Sequence, residues 1–214
     1  MCEVRREEVA GGLKDFERRI LSDFSPDCLP PHVLVRNSSG DNIIYDMGGL
    51  VPISQVVFAD ERDIFVVVCG FVGCLLKCAN SLIALGGIAC DLDSVYVDER
   101  DRFFVVFRGV ETGLDSLVRA GARPAQVGSG PTFAPLSMTV GVEATFAPVP
   151  FRVSLSMTCG VALALGEMGA GQGLVNSRVC ANQLIKRITE SGVGLRGLLK
   201  QIELVQREWE YILM

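Results

Sequence analysis

The chain has few of the residues that enzymes use for proton transfer and metal binding. Its 214 residues include one histidine, His32, and its eight cysteines form no Cys-x-x-Cys pair. A Ser–His or Cys–His mechanism would have to use His32, which follows Pro30-Pro31 without a partner nearby in the sequence. An exposed loop histidine is therefore the favoured interpretation. These absences predict a protein that is not an enzyme, with no catalytic, cofactor-binding or metal-binding residues and no cofactor.

Strong charge of one sign is also absent. The net charge is −5, the pI is about 5.0, and no run of Lys or Arg is longer than a pair. This balance argues against binding along a nucleic-acid backbone. The first 20 residues are charged and contain no continuous apolar stretch, so no secretory signal is expected. The cysteines are then predicted to be reduced and mostly buried, in a cytoplasmic protein.

Long apolar stretches are present, and they raise the question of a membrane segment. The 27 residues Ile64–Cys90 carry one charge, Lys77, in a chain of mean hydropathy +0.37. A charge at mid-membrane costs about 2.5–3.5 kcal/mol on insertion scales, and the flanks are acidic rather than basic or aromatic. The stretch therefore favours the central helix of a soluble domain, with membrane association as the alternative. A second uncharged region, Val153–Gly166, is interpreted as too short to span a bilayer.

Local patterns predict one N-terminal helix and two hairpins. Apolar residues at helical spacing predict a helix over Val4–Phe24. The turn residues Asn37–Gly40 lie between two β-type runs and predict a hairpin within 32–46. The charged turn Asp98–Arg102 predicts a second hairpin, between 95–97 and 103–107.

The C-terminal region predicts two helices, over Asn176–Glu190 and Leu195–Met214. The second is amphipathic, and its apolar face either packs within the chain, which is favoured, or binds a partner. The residues of this candidate partner-binding face are Leu198, Ile202, Val205, Trp209 and Ile212.

Residues 120–175 differ in composition, being rich in Gly, Pro, Ala, Thr and Met. The tetrapeptides Leu-Ser-Met-Thr and Thr-Phe-Ala-Pro each occur twice, but at offsets of 19 and 13 residues, so they do not define a structural repeat. Gly166–Gly173 lacks the lysine of a phosphate-binding loop and is interpreted as a flexible linker. The predicted organisation is a core over 1–119, an insertion or linker over 120–175, and helices over 176–214 that pack on the core.

Two clusters of side chains are candidate ion sites. Cys74 and Cys78 are predicted to share a helix face with Lys77 nearby, but zinc would need two further ligands, so core packing is favoured. The carboxylates near the second hairpin are candidates for a divalent cation, although a solvated turn explains most of them. These carboxylates are Asp91, Asp93, Asp98, Glu99 and Asp101.

The order of segments resembles part of a protein kinase. IIYDMGGLVPI, the apolar helix and GIACDLDSVYVDERDRFFVVFRG are similar to the hinge, the following helix and the catalytic-loop hairpin of that fold. More closely, they resemble a bacterial domain of unknown function from Gram-positive organisms, often found ahead of a forkhead-associated domain. The resemblance covers about residues 12–110. It implies an α+β fold that is kinase-C-lobe-like, mainly helical with short β-hairpins.

The resemblance also implies that catalysis has been lost. A kinase needs His-Arg-Asp, a following Asn, and an Asp-Phe-Gly motif that holds magnesium. Here Asp91 stands at the start of the loop, position 96 is Tyr, and Phe107-Arg108-Gly109 replaces Asp-Phe-Gly. The implied function is a pseudokinase-like regulatory or scaffold domain that binds a protein partner, and no nucleic acid, in signalling or secretion. A membrane-associated component of a bacterial envelope or secretion assembly is the alternative, and the oligomeric state is left open.

Overall fold

The computed structural model describes residues 3–9, 12–38, 40–109 and 149–212. Within these residues the fold is α+β, with two three-stranded antiparallel sheets and five α-helices. The strands are β1 (Val4–Val9), β2 (His32–Asn37), β3 (Gly40–Asp46), β4 (Leu50–Pro52), β5 (Val95–Asp98) and β6 (Phe103–Val105). The helices are α1 (Asp15–Asp23), α2 (Arg62–Asn80), α3 (Val149–Gly171), α4 (Ser177–Glu190) and α5 (Leu195–Ile212).

The first sheet has the strand order β1-β3-β2. Strands β2 and β3 form the predicted first hairpin, and its last pair, Asn37 and Gly40, encloses a two-residue turn. The central strand β3 turns Ile43 and Tyr45 inward, and both side chains are fully buried. Ile44, which lies between them and points to the other face, is only partly buried, as expected for a sheet with one covered face.

The predicted helix over Val4–Phe24 is wrong in its first half. Val4–Val9 is strand β1, which pairs antiparallel with β3 from Val4 opposite Asp46 to Val9 opposite Asp41. Only Asp15–Asp23 is helical. The sequence VRREEV has no helical apolar pattern of its own, and pairing with a buried strand decides its conformation.

The second sheet has the order β4-β5-β6 and contains the predicted second hairpin. Its turn is organised by Asp98, whose Oδ1 accepts hydrogen bonds from the backbone N–H groups of Arg100 and Arg102, each at 2.9 Å. Asp101 adopts a left-handed φ of 57° there. Asp98 thus stabilises the turn by accepting hydrogen bonds from its backbone.

Helix α2 is the centre of the core and is shorter than the apolar stretch that predicted it. Residues of α2 pack against α3, α5 and β6, and Lys77 extends outward to Asp27, with Nζ 2.9 Å from Oδ1. The helix ends at Asn80, where Ser81 N–H donates to Lys77 O. Leu82 then has a φ of 61°, so the helix does not continue to Cys90 as predicted.

Helix α3 occupies much of the segment that was predicted to be an insertion or linker. Val149–Gly171 is a 23-residue helix packed on α2 and α4, whereas the insertion or linker was predicted over 120–175. Gly166 lies in a close helix contact, because a Cβ there would stand 2.7 Å from Ala181 Cβ. The first part of the glycine-rich stretch, up to Gly169, is thus a helical packing surface rather than a flexible linker. Residues 120–148 of the predicted insertion lie outside the described residues.

Among the residues that the structure describes, two helices are long and apolar enough to cross a membrane. They are Arg62–Asn80 and Val153–Gly171, and 50% and 44% of the residues in their most apolar windows are buried within the fold. The second result corrects the interpretation that the region was too short to span. About half of each window is thus covered by the rest of the fold, and partial burial of this kind is also found in the core helices of soluble proteins.

Candidate functional site

A polar network joins the two sheets. Its members are Arg5 and Glu7 from β1, Asp91 and Ser94 from the loop before β5, and Arg108 after β6. We call these five residues the Arg5–Arg108 network. Arg5 and Glu7 point to the inner face of the first sheet because they alternate with the exposed Arg6 and Glu8 in β1. The network is therefore assembled from segments that are distant in sequence, since Arg5 and Ser94 are 89 residues apart.

Ser94 is the centre of this network and is fully buried. Its Oγ donates to Asp91 Oδ1 at 2.6 Å, and accepts from Arg5 at 2.9 Å and from Arg108 at 2.7 Å. A hydroxyl offers one donor and two acceptor positions. All three are occupied, so Ser94 acts as a junction of hydrogen bonds.

The charges of the network compensate one another. Arg5 Nε lies 2.6 Å from Glu7 Oε1, and Arg108 Nε lies 3.3 Å from Glu7 Oε2. Arg108 also reaches Asp91, with Nη1 3.1 Å from Oδ2. Two guanidinium groups thus face two carboxylates, which leaves neither carboxylate free to hold a cation.

Arg5 is fixed further by the second sheet. It donates to Tyr96 Oη at 2.6 Å and to the carbonyl oxygen of Asp93 at 2.7 Å. Burial lowers the pKa of Arg5, but hydrogen bonds with Tyr96 and Glu7 outweigh that effect and raise the pKa above its ordinary value. Arg5 therefore stays charged, and its position depends on both sheets.

The segment Phe107-Arg108-Gly109 is held in place by its backbone. Tyr45 Oη donates to Phe107 O at 2.9 Å and accepts from Phe107 N at 3.1 Å. Burial raises the pKa of Tyr45, so the hydroxyl remains a donor. Arg108 N–H also donates to Gly87 O at 2.7 Å. These bonds fix the backbone next to Arg108, and its side chain points into the Arg5–Arg108 network.

The single histidine is placed differently from the prediction. His32 begins β2 and is partly buried, rather than lying exposed in a loop. Its Nδ1 is 2.9 Å from Pro30 O and its Nε2 is 3.2 Å from Leu21 O. Both ring nitrogens face backbone carbonyls. The imidazole therefore joins α1 to β2 and has no nucleophile within its hydrogen bonds.

A cleft of about 720 Å³ opens beside His32, between the 25–32 segment and the second hairpin. Its charged lining includes Asp46, Asp98, Glu99 and Arg100. Asp98 is already engaged by Arg102, whose Nε donates to Asp98 Oδ2 at 2.7 Å. The cleft thus presents both signs of charge and no single convergent binding group.

The candidate ion sites are not assembled. Among the described residues, no group of three or more His, Cys, Asp or Glu side chains is arranged to hold a metal ion. The carboxylates that are candidates for a cation site have different partners. Asp91 binds Arg108, Asp93 accepts a hydrogen bond from Ser54 Oγ, and Asp98 accepts hydrogen bonds from the backbone of its turn.

The predicted cysteine pair gains a third member that the sequence did not indicate. Cys28 Sγ lies 3.6 Å from Cys78 Sγ, and Cys74 Sγ donates to Phe103 O at 3.2 Å. All three thiols are buried. Hydrogen bonding to Cys28 and burial raise the pKa of Cys78. These three side chains thus pack together in the core.

The candidate partner-binding face on α5 is covered by the protein itself. Leu198 and Ile202 are fully buried, and Val205 and Trp209 are each 4% exposed. Helix α5 packs on α2, whose apolar surface extends nearly all round and requires such a cover. These four side chains therefore pack within the chain, which is the favoured of the two predictions, rather than forming an exposed face for a partner. The side chain of Ile212 lies outside the described part of the structure.

Sequence reasoning missed Arg5, Glu7 and Ser94. The alternation in VRREEV places Arg5 and Glu7 on one face of a strand, and this was the available signal. The prediction of a helix there concealed it. Arg108 and Asp91 were singled out only through the kinase resemblance.

No protein-family model matches the chain, and no curated protein matches it either. The site is therefore interpreted from its own geometry. That geometry is a closed set of ion pairs and hydrogen bonds that links Arg5 and Glu7 to Asp91, Ser94 and Arg108.

Proposed function

We propose that the chain is a non-catalytic, pseudokinase-like regulatory or scaffold domain that binds a protein partner in signalling or secretion. The observation that carries the proposal is the position of Arg108. The kinase resemblance assigns a magnesium-binding carboxylate to position 107, which is Phe here, and the guanidinium of the next residue, Arg108, lies 3.1 Å from Asp91.

The electrostatics support loss of phosphoryl transfer. That reaction needs a catalytic-loop carboxylate that accepts the proton of the attacking hydroxyl, and an Asp-Phe-Gly carboxylate that holds magnesium. Asp91 instead binds Arg108 and accepts a hydrogen bond from Ser94. A divalent cation would meet the positive charges of Arg5 and Arg108 at this position and would have to displace an existing ion pair.

The order of elements supports the kinase-like part of the proposal. The first hairpin leads through 46–50, the position of a hinge, into the buried helix α2. The β5–β6 hairpin follows, and it lies where the resemblance places the catalytic-loop hairpin. The described helices then cover α2, as a mainly helical lobe requires.

Nucleotide binding provides the direct test. We expect the melting temperature to be unchanged by ATP or ADP with Mg²⁺ or Mn²⁺, and no phosphate transfer to the chain or to generic acceptors. Arg108→Gln serves as a control that removes the guanidinium without adding a carboxylate. A metal-dependent stabilisation by nucleotide, or phosphate transfer that is lost in Asp91→Asn, would contradict the proposal.

Partner binding is tested separately. Affinity capture from a native extract identifies candidates, and each candidate is then purified and titrated against the chain. We expect a saturable complex with a Kd at or below the order of 10 µM, a value typical of specific but regulated contacts. Absence of any such complex among the purified candidates would count against a scaffold role.

A membrane-associated role is the second candidate, because α2 and α3 have the length and composition of membrane spans. We favour a cytoplasmic location, since about half of each span is covered by the rest of the fold. Fractionation with and without detergent separates the two. Recovery only in detergent would support the membrane role.

A further inference from the structure

The two edge strands of the first sheet differ in how well their side chains prevent pairing with another chain. Strand β1 reads VRREEV, with four charged residues in six, whereas β2 reads HVLVRN and has one residue that is always charged. Charged side chains on an edge strand discourage pairing with another chain. By this measure β1 is a protected edge and β2 is an open one.

The hydrogen-bond pattern shows which groups of β2 are directed outward. Asn37 and Gly40 enclose a two-residue turn, which makes them a bonded pair, and bonded pairs then recur at every second residue. The same alternation continues beyond the strand, where Asp46 N–H donates to Pro31 O at 2.8 Å. The odd-numbered residues of β2 therefore bond to β3.

The even-numbered residues have backbone N–H and C=O groups that face away from the sheet. These residues are His32, Leu34 and Arg36. Within the described part of the chain, none of these backbone groups takes part in a hydrogen bond with another segment. No described strand lies beyond β2, because it ends the strand order β1-β3-β2. A row of such groups is a template for one more strand.

The side chains next to this edge are apolar and exposed. Val33 is 59% exposed and Val35 is 40% exposed. Both lie on the outer face of the sheet, whereas Leu34 points to the inner face and packs against the core. An added strand would therefore meet backbone donors and acceptors together with two uncovered valines.

We propose that β2 pairs antiparallel with β2 of a second copy of this chain, around a two-fold axis at Leu34. In this register Leu34 faces the partner's Leu34, and His32 faces the partner's Arg36. These are the residues whose backbone groups are free, so each becomes part of a bonded pair. The two first sheets join into one continuous sheet in a closed, symmetric dimer.

Self-pairing is favoured because this register matches the valines. Val33 faces the partner's Val35, and the two-fold axis repeats that apolar pair. Centring the axis on Val33 or Val35 instead keeps only one valine pair and places the other valine opposite Pro31 or Asn37. The inference does not depend on the proposed function, because it uses only the edge of the first sheet.

Dimerisation is tested by sedimentation equilibrium across the micromolar range. We expect the wild-type chain to dimerise, and the double variant Val33→Lys/Val35→Lys to raise the dimer Kd at least about tenfold through like charges on the shared face. Val51→Lys is the matched control, since Val51 is an exposed strand residue of the second sheet. A monomeric wild-type chain, or a double variant that dimerises equally well, would overturn the proposal.

Cysteine cross-linking tests the register itself. A mixture of Val33→Cys and Val35→Cys chains should form an inter-chain disulfide under mild oxidation with copper phenanthroline, with the wild-type chain as background for the native cysteines. Either variant alone should give no more than that background. Cross-linking by Val33→Cys alone would show a different register and would overturn this one. Circular dichroism checks that each variant is folded.

Discussion

Two helix–helix interfaces bury apolar surface in opposite ways. Between α2 and α5 large side chains meet, and the rings of Phe65 and Trp209 lie 6.5 Å apart. We call this the aromatic interface. Between α3 and α4, the glycine interface, Gly166 and Gly169 let the helices approach until only Ala181 and Ser177 fit. The aromatic interface depends on large side chains that fill the space between the helices. The glycine interface depends on the lack of a side chain at the two glycines.

The largest effect is expected at the aromatic interface. Replacing Trp209, which is 4% exposed, with Ala should lower the free energy of unfolding by about 3–5 kcal/mol, because it removes a buried ring and leaves a cavity. Urea unfolding followed by circular dichroism measures the change. Leu204→Ala is the control on the same helix, since Leu204 is 41% exposed. A loss below about 1 kcal/mol would mean that this interface contributes little.

An added side chain at the glycine interface should lower the free energy of unfolding through overpacking. Gly166→Ala places a methyl group against Ala181, and we expect a loss of about 1–3 kcal/mol despite the higher helix propensity of alanine. The same unfolding measurement applies. A variant as stable as the wild type would show that the two helices separate without strain, and would remove the contrast between the interfaces.

A hydrogen bond at the glycine interface should contribute less. Ser177 is fully buried, and its Oγ lies 2.9 Å from Gly166 O and 3.0 Å from Leu174 O. Ser177→Ala should cost about 1 kcal/mol because a carbonyl loses its donor without any change in helix spacing. Ser156→Ala on the exposed side of α3 is the matched control. An equal effect of the two substitutions would contradict a specific role for Ser177.

The smallest effect should have the opposite sign. Gly160 lies in α3, but a Cβ there would meet no atom within 4 Å. Gly160→Ala should raise the free energy of unfolding by about 0.5–1 kcal/mol, through helix propensity alone. Thermal unfolding detects the shift. A lower free energy of unfolding would contradict this expectation, because it would mean that a methyl group at position 160 is closely packed against another group. Close packing on α3 would then extend beyond the glycine interface.

The local parts of the fold were predictable from the sequence. Both hairpins and the two C-terminal helices have strong signals, since turn residues and apolar periodicity act over short distances. Strand β1 was missed because its conformation follows from pairing with β3. Helix α3 was missed because glycines lower helix propensity, yet at Gly166 the absent side chain is what the packing requires.

The candidate site was harder to predict than the fold. Ser94 is a common residue in a short loop, and nothing nearby in the sequence indicates that Arg5 and Arg108 converge on its hydroxyl. Such a site depends on contacts between distant segments, so its members become visible only when the two sheets are placed together. The kinase resemblance indicated Asp91 and Arg108, but it gave no expectation for the ion pair between them.

Trp209 is the only tryptophan in the chain, and it lies at the aromatic interface. Its fluorescence emission therefore reports on the environment between α2 and α5. Far-ultraviolet circular dichroism reports on the helix content of the whole chain. Coincident denaturation curves from the two probes would mean that the aromatic interface and the helices are lost in one cooperative step, whereas an earlier change in circular dichroism would show that secondary structure elsewhere is lost before the aromatic interface opens.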